Sequence, residues 1–197
     1  MGANASRCIL TQLTLPAPPT ADSRNSQPYT RAVVIMGVAG CGKSTLGQAI
    51  ALRMNWPMIE GDDFHSPENK ALMQAGVPLG DAERSGWLKS LAKELQTRDQ
   101  GTVLTCSALK AAYREILRAA SPGLAFVFLD IPHADALGRV GSRNDHFMPP
   151  ELVKSQFQAL EDPGSEPRVL RLDARLPLQD LTDQAVRWLM GYCPEGA

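Results

Sequence analysis

The sequence predicts an α/β fold of three layers, a five-stranded parallel sheet with helices on both of its faces. Three observations predict it. Short apolar runs alternate with longer stretches of helical periodicity along most of the chain, which is the pattern of repeated β-α-β crossovers. The runs at 33–36 and 124–129 are continuously apolar rather than alternating, as expected of strands covered on both faces. The first of them leads directly into Gly37-Val38-Ala39-Gly40-Cys41-Gly42-Lys43-Ser44, a glycine-rich segment that itself opens a helical pattern.

Taken in order, residues 1–30 stand apart. They hold Pro16, Pro18, Pro19 and Pro28 among many Ser, Thr and Asn, with Asp22 as their single acidic residue, and read as a flexible extension ahead of one domain spanning 31–197. Strand one covers 33–36. Leu46, Ile50 and Met54 then recur at helical spacing. A second short strand at 56–59 runs into Glu60, Gly61, Asp62, Asp63, Phe64 and His65. Ser66 is an N-cap and Pro67 the first helical residue of a helix stopped by Gly76. Asp81 is expected to cap a longer helix whose face is Trp87, Leu88, Leu91 and Leu95. A strand at 102–106 precedes a helix through Tyr113, Ile116 and Leu117. The fourth strand, 124–129, is followed by a helix opened by Pro132. Residues 141–149 are polar and contain glycine, which suggests a small mobile lid. A helix through Val153, Phe157 and Leu160, a fifth strand at 168–172 and a final helix marked by Leu178, Leu181, Ala185, Trp188 and Leu189 complete the chain. There is no internal repeat and no second core.

Bulk composition narrows the function classes. Lys plus Arg is 20 against 21 for Asp plus Glu, a balance that gives no basic footprint for nucleic acid or for a membrane surface. No apolar run approaches the roughly 20 residues of a membrane span. Cys8, Cys41, Cys106 and Cys193 form no C-x-x-C pair, and with no signal peptide pattern a cytoplasmic location with reduced thiols is expected. His65, His133 and His146 are scattered, which argues against a structural zinc site.

The segment from Gly37 to Ser44 spells G-x-x-x-x-G-K-[ST] between a strand and a helix. Its glycines let backbone N–H groups curl around an anion, and the helix start adds unpaired donors and a positive dipole end. Lys43 would reach the β- and γ-phosphates of ATP, and the Ser44 hydroxyl would ligate Mg²⁺. Thr45 continues the same helix turn. In a parallel sheet, ligands bind beyond the carboxyl ends of the strands. Those ends carry Glu60, Asp62, Asp63 and His65 after strand two, Ser107, Lys110 and Arg114 after strand three, Arg139, Arg143 and His146 beyond strand four, and Asp173 to Arg175 after strand five. Carboxylates facing a phosphate loop suit Mg²⁺ binding through water and proton acceptance from an attacking hydroxyl. Arginines on a lid suit charge neutralisation as a phosphoryl group moves.

Several ordered motifs surround these positions: Gly61-Asp62-Asp63-Phe64-His65-x-Pro67-x-Asn69, then Met73-x-x-Gly76-x-Pro78-Leu79-x-Asp81-x-x-Arg84-x-x-Trp87-Leu88, then Cys106-Ser107-Ala108-Leu109-Lys110-x-x-Tyr113-Arg114, then His146-Phe147-Met148-Pro149-Pro150-Glu151-Leu152 with Ser155-Gln156-Phe157. Over about residues 31–190 the chain closely resembles the gluconokinases, of the shikimate-kinase-like group of small P-loop kinases. The resemblance implies a P-loop kinase core, ATP with Mg²⁺, transfer of the γ-phosphoryl group to the 6-hydroxyl of D-gluconate, and commonly a homodimer. A shikimate kinase is the nearest alternative, but the 106–110 segment stands where that family carries a glycine triplet. A nucleotide-binding protein without catalysis is the alternative of a different class, and Lys43, Ser44 and Asp62 argue against it.

The expected roles are as follows. Gly37, Val38, Ala39, Gly40, Cys41, Gly42, Lys43, Ser44 and Thr45 hold the nucleotide phosphates, and Arg139 stacks on adenine opposite the 174–176 loop. Lys43, Asp62 and Arg143 are the catalytic set, with Asp62 taking the proton of the acceptor hydroxyl. Asp62, His65, Arg84, Lys110 and Arg114 form the substrate side, Arg84 and Arg114 being favoured as carboxylate clamps because guanidinium pairs with carboxylate in a bidentate manner. Ser44 and Glu60 are the metal oxygens. Trp87 is expected to pack in the core. The chain departs from the family pattern at Glu60, where Asp is common, at Gly80 for Asn, at Gly86 for Pro and at Cys41 for Ser.

Overall fold

The computed structural model describes residues 31–98, 100–142 and 150–191. Five strands, β1 (Ala32–Met36), β2 (Met58–Glu60), β3 (Thr102–Thr105), β4 (Ala125–Asp130) and β5 (Val169–Asp173), form one parallel sheet in the order β2-β3-β1-β4-β5. Between them run α1 (Lys43–Met54), a 3-10 turn (Gly61–Phe64), α2 (Pro67–Gln74), α3 (Asp81–Gln96), α4 (Ala111–Ala120), α5 (His133–Gly141), α6 (Pro150–Ala159) and α7 (Leu178–Leu189). The expected α/β architecture is therefore present, strand for strand.

Burial on both faces explains the unbroken apolar character of β1. Its alternate residues Val33 and Ile35 join Leu46 and Ile50 of α1 and Leu181 and Ala185 of α7 on one face. Val34 and Met36 meet Leu88 and Leu91 of α3 and Leu117 of α4 on the other. Each of these β1 side chains is fully buried. Moving 0.8 kcal/mol or so per buried CH₂ out of water makes such a strand costly to place at an edge. With β1 between β3 and β4, the turn after β1 opens between the turns after its neighbours, where strand order reverses and a crevice forms. Gly37 N donates to Ser107 O at 3.3 Å, and Cys106 N to Ile35 O at 3.1 Å, which ties the first two of these turns together.

Several local expectations shift. β2 starts at Met58 and includes Glu60 as its last residue, because Pro57 has no N–H to contribute to the ladder. Ser66 caps α2 as expected, its hydroxyl accepting from Asn69 N at 3.2 Å. Asp81 is not the cap of α3. Gly80 occupies that position, and its N–H donates to Glu83 Oε2 at 2.9 Å, which frees the Asp81 carboxylate for Lys110 and Tyr113. Ile116 lies on the solvent side of α4 at 41% exposure, while Tyr113 and Leu117 carry the buried face. The N-terminal extension expected at 1–30 and most of the lid expected at 141–149 lie outside the described residues.

Candidate active site

The phosphate loop is shaped by three glycines at positive φ, Gly37 at 139°, Gly40 at 81° and Gly42 at 100°. A Cβ on Gly40 would come within 2.7 Å of Ala136 O, so this residue needs both the left-handed conformation and the absence of a side chain. α1 starts at Lys43 with no side chain capping its first turn, which leaves its N-terminal N–H groups to an anion. Ser44 and Thr45 lie exposed at this start. Lys43 Nζ donates to Val38 O at 3.1 Å and so arches over the loop. Cys41 is buried beneath the loop, where burial raises its pKa. These features fit a nucleotide phosphate chain.

Opposite the loop stands the 3-10 turn at the end of β2. Gly61 is fixed from three sides. Its N–H donates to Thr105 Oγ1 at 3.3 Å, its carbonyl accepts from Trp87 Nε1 at 2.7 Å, and a Cβ there would meet Thr105 O at 2.2 Å. The next residue, Asp62, thus has a defined place on the wall of a cavity that Lys43 and Ser44 line from the other side. Arg84, His65 and Ser107 line the same cavity, and Met73 and Leu79 give it an apolar edge. His65 is 7% exposed and stacks on Trp87 with ring centroids 4.3 Å apart and planes 14° apart. Its Nδ1 is buried without a hydrogen-bond partner. Burial lowers the His65 pKa, Asp62 opposes that shift, and Arg84 and Lys70 add to it, so the ring is neutral at pH 7. Trp87 packs in the core as expected and also carries the Gly61 carbonyl.

Three expected site residues go elsewhere. Arg114 is fully buried and does not clamp a substrate. Its Nε donates to Glu166 Oε1 at 2.9 Å and its Nη1 to Ala108 O and Leu109 O at 2.9 and 3.0 Å, so it secures the β3–α4 connection from inside. Lys110 forms an ion pair with Asp81 Oδ1 at 2.6 Å and lines a neighbouring cavity with Arg84, Ser155 and Gln156 instead of the main one. Glu60 accepts the Thr105 hydroxyl and does not line the main cavity, so of the two expected metal oxygens only Ser44 does. Among the described residues no three His, Cys, Asp or Glu form a cage for a metal. A Mg²⁺ carried on nucleotide phosphates needs only one or two protein oxygens, and the exposed Ser44 hydroxyl fits that demand. On the other flank of the loop, Arg139 Nη2 donates to Ala174 O at 2.8 Å, so its guanidinium rests directly on the 174–176 loop expected on the far side of a base, and both line a second cavity with Thr45 and Leu178. Arg143 and His146 lie outside the described residues.

Gln156 of α6 is a cavity residue to which residue chemistry assigned no role. Its Oε1 accepts from Ala39 N at 2.7 Å. In the sequence it appears within the Ser155-Gln156-Phe157 stretch of the family resemblance, which does not by itself point to a phosphate loop more than 110 residues upstream.

The family model for shikimate kinase matches residues 39–161. Thermosensitive gluconokinase of Escherichia coli is 38% identical over 155 residues, 77% of this chain and 83% of that protein. Gluconokinase of Gluconobacter oxydans is 38% identical over 160 residues, 80% and 90% of the two chains. The crystal structure of a gluconokinase from Sinorhizobium meliloti superposes with a TM-score of 0.76 at 42% identity, covering 82% of this chain and 92% of that one. The chain belongs to the gluconokinase family. Its fold is that of the P-loop kinases, a five-stranded parallel sheet with the phosphate loop after β1.

Proposed function

We propose that the chain transfers the γ-phosphoryl group of ATP to the 6-hydroxyl of D-gluconate, giving 6-phosphogluconate and ADP. The observation that carries this reading is that Lys43 and Ser44 line one cavity together with Asp62, His65 and Arg84. In the reaction, the acceptor hydroxyl oxygen bonds to the γ-phosphorus as the bond from that phosphorus to the β-γ bridging oxygen breaks. Asp62 takes the hydroxyl proton. Lys43, leaving Val38 O, neutralises charge on the phosphoryl oxygens, and Arg84 pairs with the gluconate carboxylate. His65, neutral and stacked, offers a ring nitrogen to a sugar hydroxyl. Bound Mg²⁺ would add charge neutralisation on the phosphates, with Ser44 as its protein oxygen. Arg143, which lies outside the described residues, remains the third member of the catalytic set in this reading. The same reading carries a homodimer, checked by light scattering, and a cytoplasmic setting in which the buried Cys41 and Cys106 remain thiols.

Coupled ADP release decides the substrate. With D-gluconate, shikimate and nucleoside monophosphates offered separately, turnover should rise above background with gluconate alone. Equal or greater turnover with shikimate would overturn the choice of acceptor and leave the kinase assignment standing.

A further inference from the structure

One loop amide is already satisfied by a side chain 117 residues further along the chain. Ala39 N lies 2.7 Å from Gln156 Oε1. A backbone N–H can only donate, so the oxygen of the Gln156 amide must face it and the NH₂ group must point away. Gln156 lines both the phosphate-loop cavity and the adjoining cavity that Arg84 and Lys110 share. Its NH₂ end therefore belongs to a wall where the loop meets the acceptor side. α6 is held for this task. Val153 is fully buried, and Phe157 meets His133 of α5 edge to face at 4.9 Å, which anchors the helix turns around Gln156.

An acceptor on Ala39 N and two donors beyond it amount to an extension of the anion cradle. The loop glycines and the start of α1 supply backbone N–H groups for the inner phosphates. Gln156 adds N–H groups outside that ring, in the cavity that Ser107 and Arg84 also line. We propose that Gln156 is a contact for the terminal phosphoryl group of the nucleoside triphosphate, its Oε1 braced on Ala39 and its Nε2 donating to the group that is transferred. Gln156 thereby distinguishes triphosphate from diphosphate and holds the outer phosphoryl group between Lys43 and Asp62. The inference rests on the nucleotide half of the proposed function and is independent of the identity of the acceptor.

Isothermal titration of the full chain with ADP and with a non-hydrolysable ATP analogue, both with Mg²⁺, tests it without turnover. Gln156→Glu keeps an oxygen for Ala39 N–H but replaces the NH₂ donors with negative charge. It should leave ADP affinity within about twofold of wild type and weaken the analogue by roughly tenfold or more, about one lost charge-sensitive hydrogen bond plus repulsion. Gln156→Ala should weaken the analogue by less than the Glu variant and again spare ADP. If Gln156 only braced the loop, the Glu variant would bind both nucleotides like wild type. If its role were to shape the whole loop, both variants would lose ADP and analogue equally. Either result overturns the proposal. Thermal unfolding reports whether each variant is folded, and where the Glu variant is not, the Ala variant decides by the same ADP-to-analogue comparison. A chain that keeps this discrimination yet fails to phosphorylate gluconate would refute the acceptor and not the role of Gln156.

Discussion

Arg84 and Arg114 were both expected to grip an anionic substrate, and they occupy opposite kinds of environment. Arg84 is half-buried at the end of the first turn of α3 and faces a cavity. Arg114 is sealed in the interior, with carboxylate oxygens of Glu166 and carbonyls of residues 108, 109 and 161 around its guanidinium. What fills the space explains the contrast. Arg84 borders open cavities shared with Lys43, Ser107 and Gln156, whereas the space around Arg114 is filled by Glu161 and Glu166, which arrive from the α6–β5 connection some fifty residues later. Lys110 and Arg114 also fail to share a helix face, because Lys110 is the extended N-cap of α4 (φ −97°, ψ 147°), one residue outside the helix. The i, i+4 rule holds only where both residues are helical. An arginine on a helix after a strand is thus either a ligand to the substrate or a ligand to the protein's own loop, and partners far along the chain decide which.

The largest effect is at Asp62, which lines the cavity that Arg84 faces. Asp62→Asn should lower kcat by about 10²–10⁴ as a lost general base while ADP affinity, measured by calorimetry, stays near wild type. A kcat close to wild type in a folded variant would remove Asp62 from the proton path and leave the acceptor half without a base. Arg114→Met should cost stability, roughly 2–4 kcal/mol, since it leaves the carbonyls of residues 108, 109 and 161 without their donor while Glu166 keeps Arg118 as its cationic partner. Denaturant unfolding reads this directly, and an unchanged midpoint would mean that the buried ion pair is dispensable. Arg84→Met should do the reverse, raising the KM for gluconate by about 10- to 100-fold with little change in unfolding midpoint, the value of a charged hydrogen bond to substrate. A loss confined to the KM for ATP would move Arg84 to the nucleotide side.

The smallest effect is the acid sensitivity carried by His65. Its folded-state pKa lies below the ordinary value of 6.5, so the unfolded chain binds the proton more readily once the pH drops beneath about 6.5. This contribution to stability is complete above that pH and declines as the pH falls toward the folded-state value. His65→Phe retains a ring against Trp87 and removes the proton. Its melting temperature should fall less than that of wild type between pH 7 and pH 5, and parallel declines would assign the acid loss to other groups.

The contiguous half of the site was the legible half. Residues 37–45 carry their own strand, turn and helix start, so a short window determined both conformation and chemistry. The fold was legible for a related reason: each strand and helix showed its period within its own length. Asp81 shows where local reading stops. A carboxylate at a helix start reads as a cap, yet Glu83 and Gly80 make that cap between themselves and Asp81 turns to Lys110 and Tyr113 on another element. Gln156 and the Glu166 partner of Arg114 belong to the same class, side chains whose meaning depends on which segment the sheet order brings beside them.

The confinement of Gly61 has a consequence for altering acceptor scope. With no room for a Cβ and both backbone polar groups engaged, this position is closed to variation, and so is Trp87 beneath it. A mutational library aimed at a longer or less polar hydroxy acid should hold residues 61, 62 and 87 fixed and diversify Met73 and Leu79, the apolar edge of the same cavity. Sampling there changes the shape offered to the acceptor and leaves Asp62, the proposed base, hung from an immobile peg.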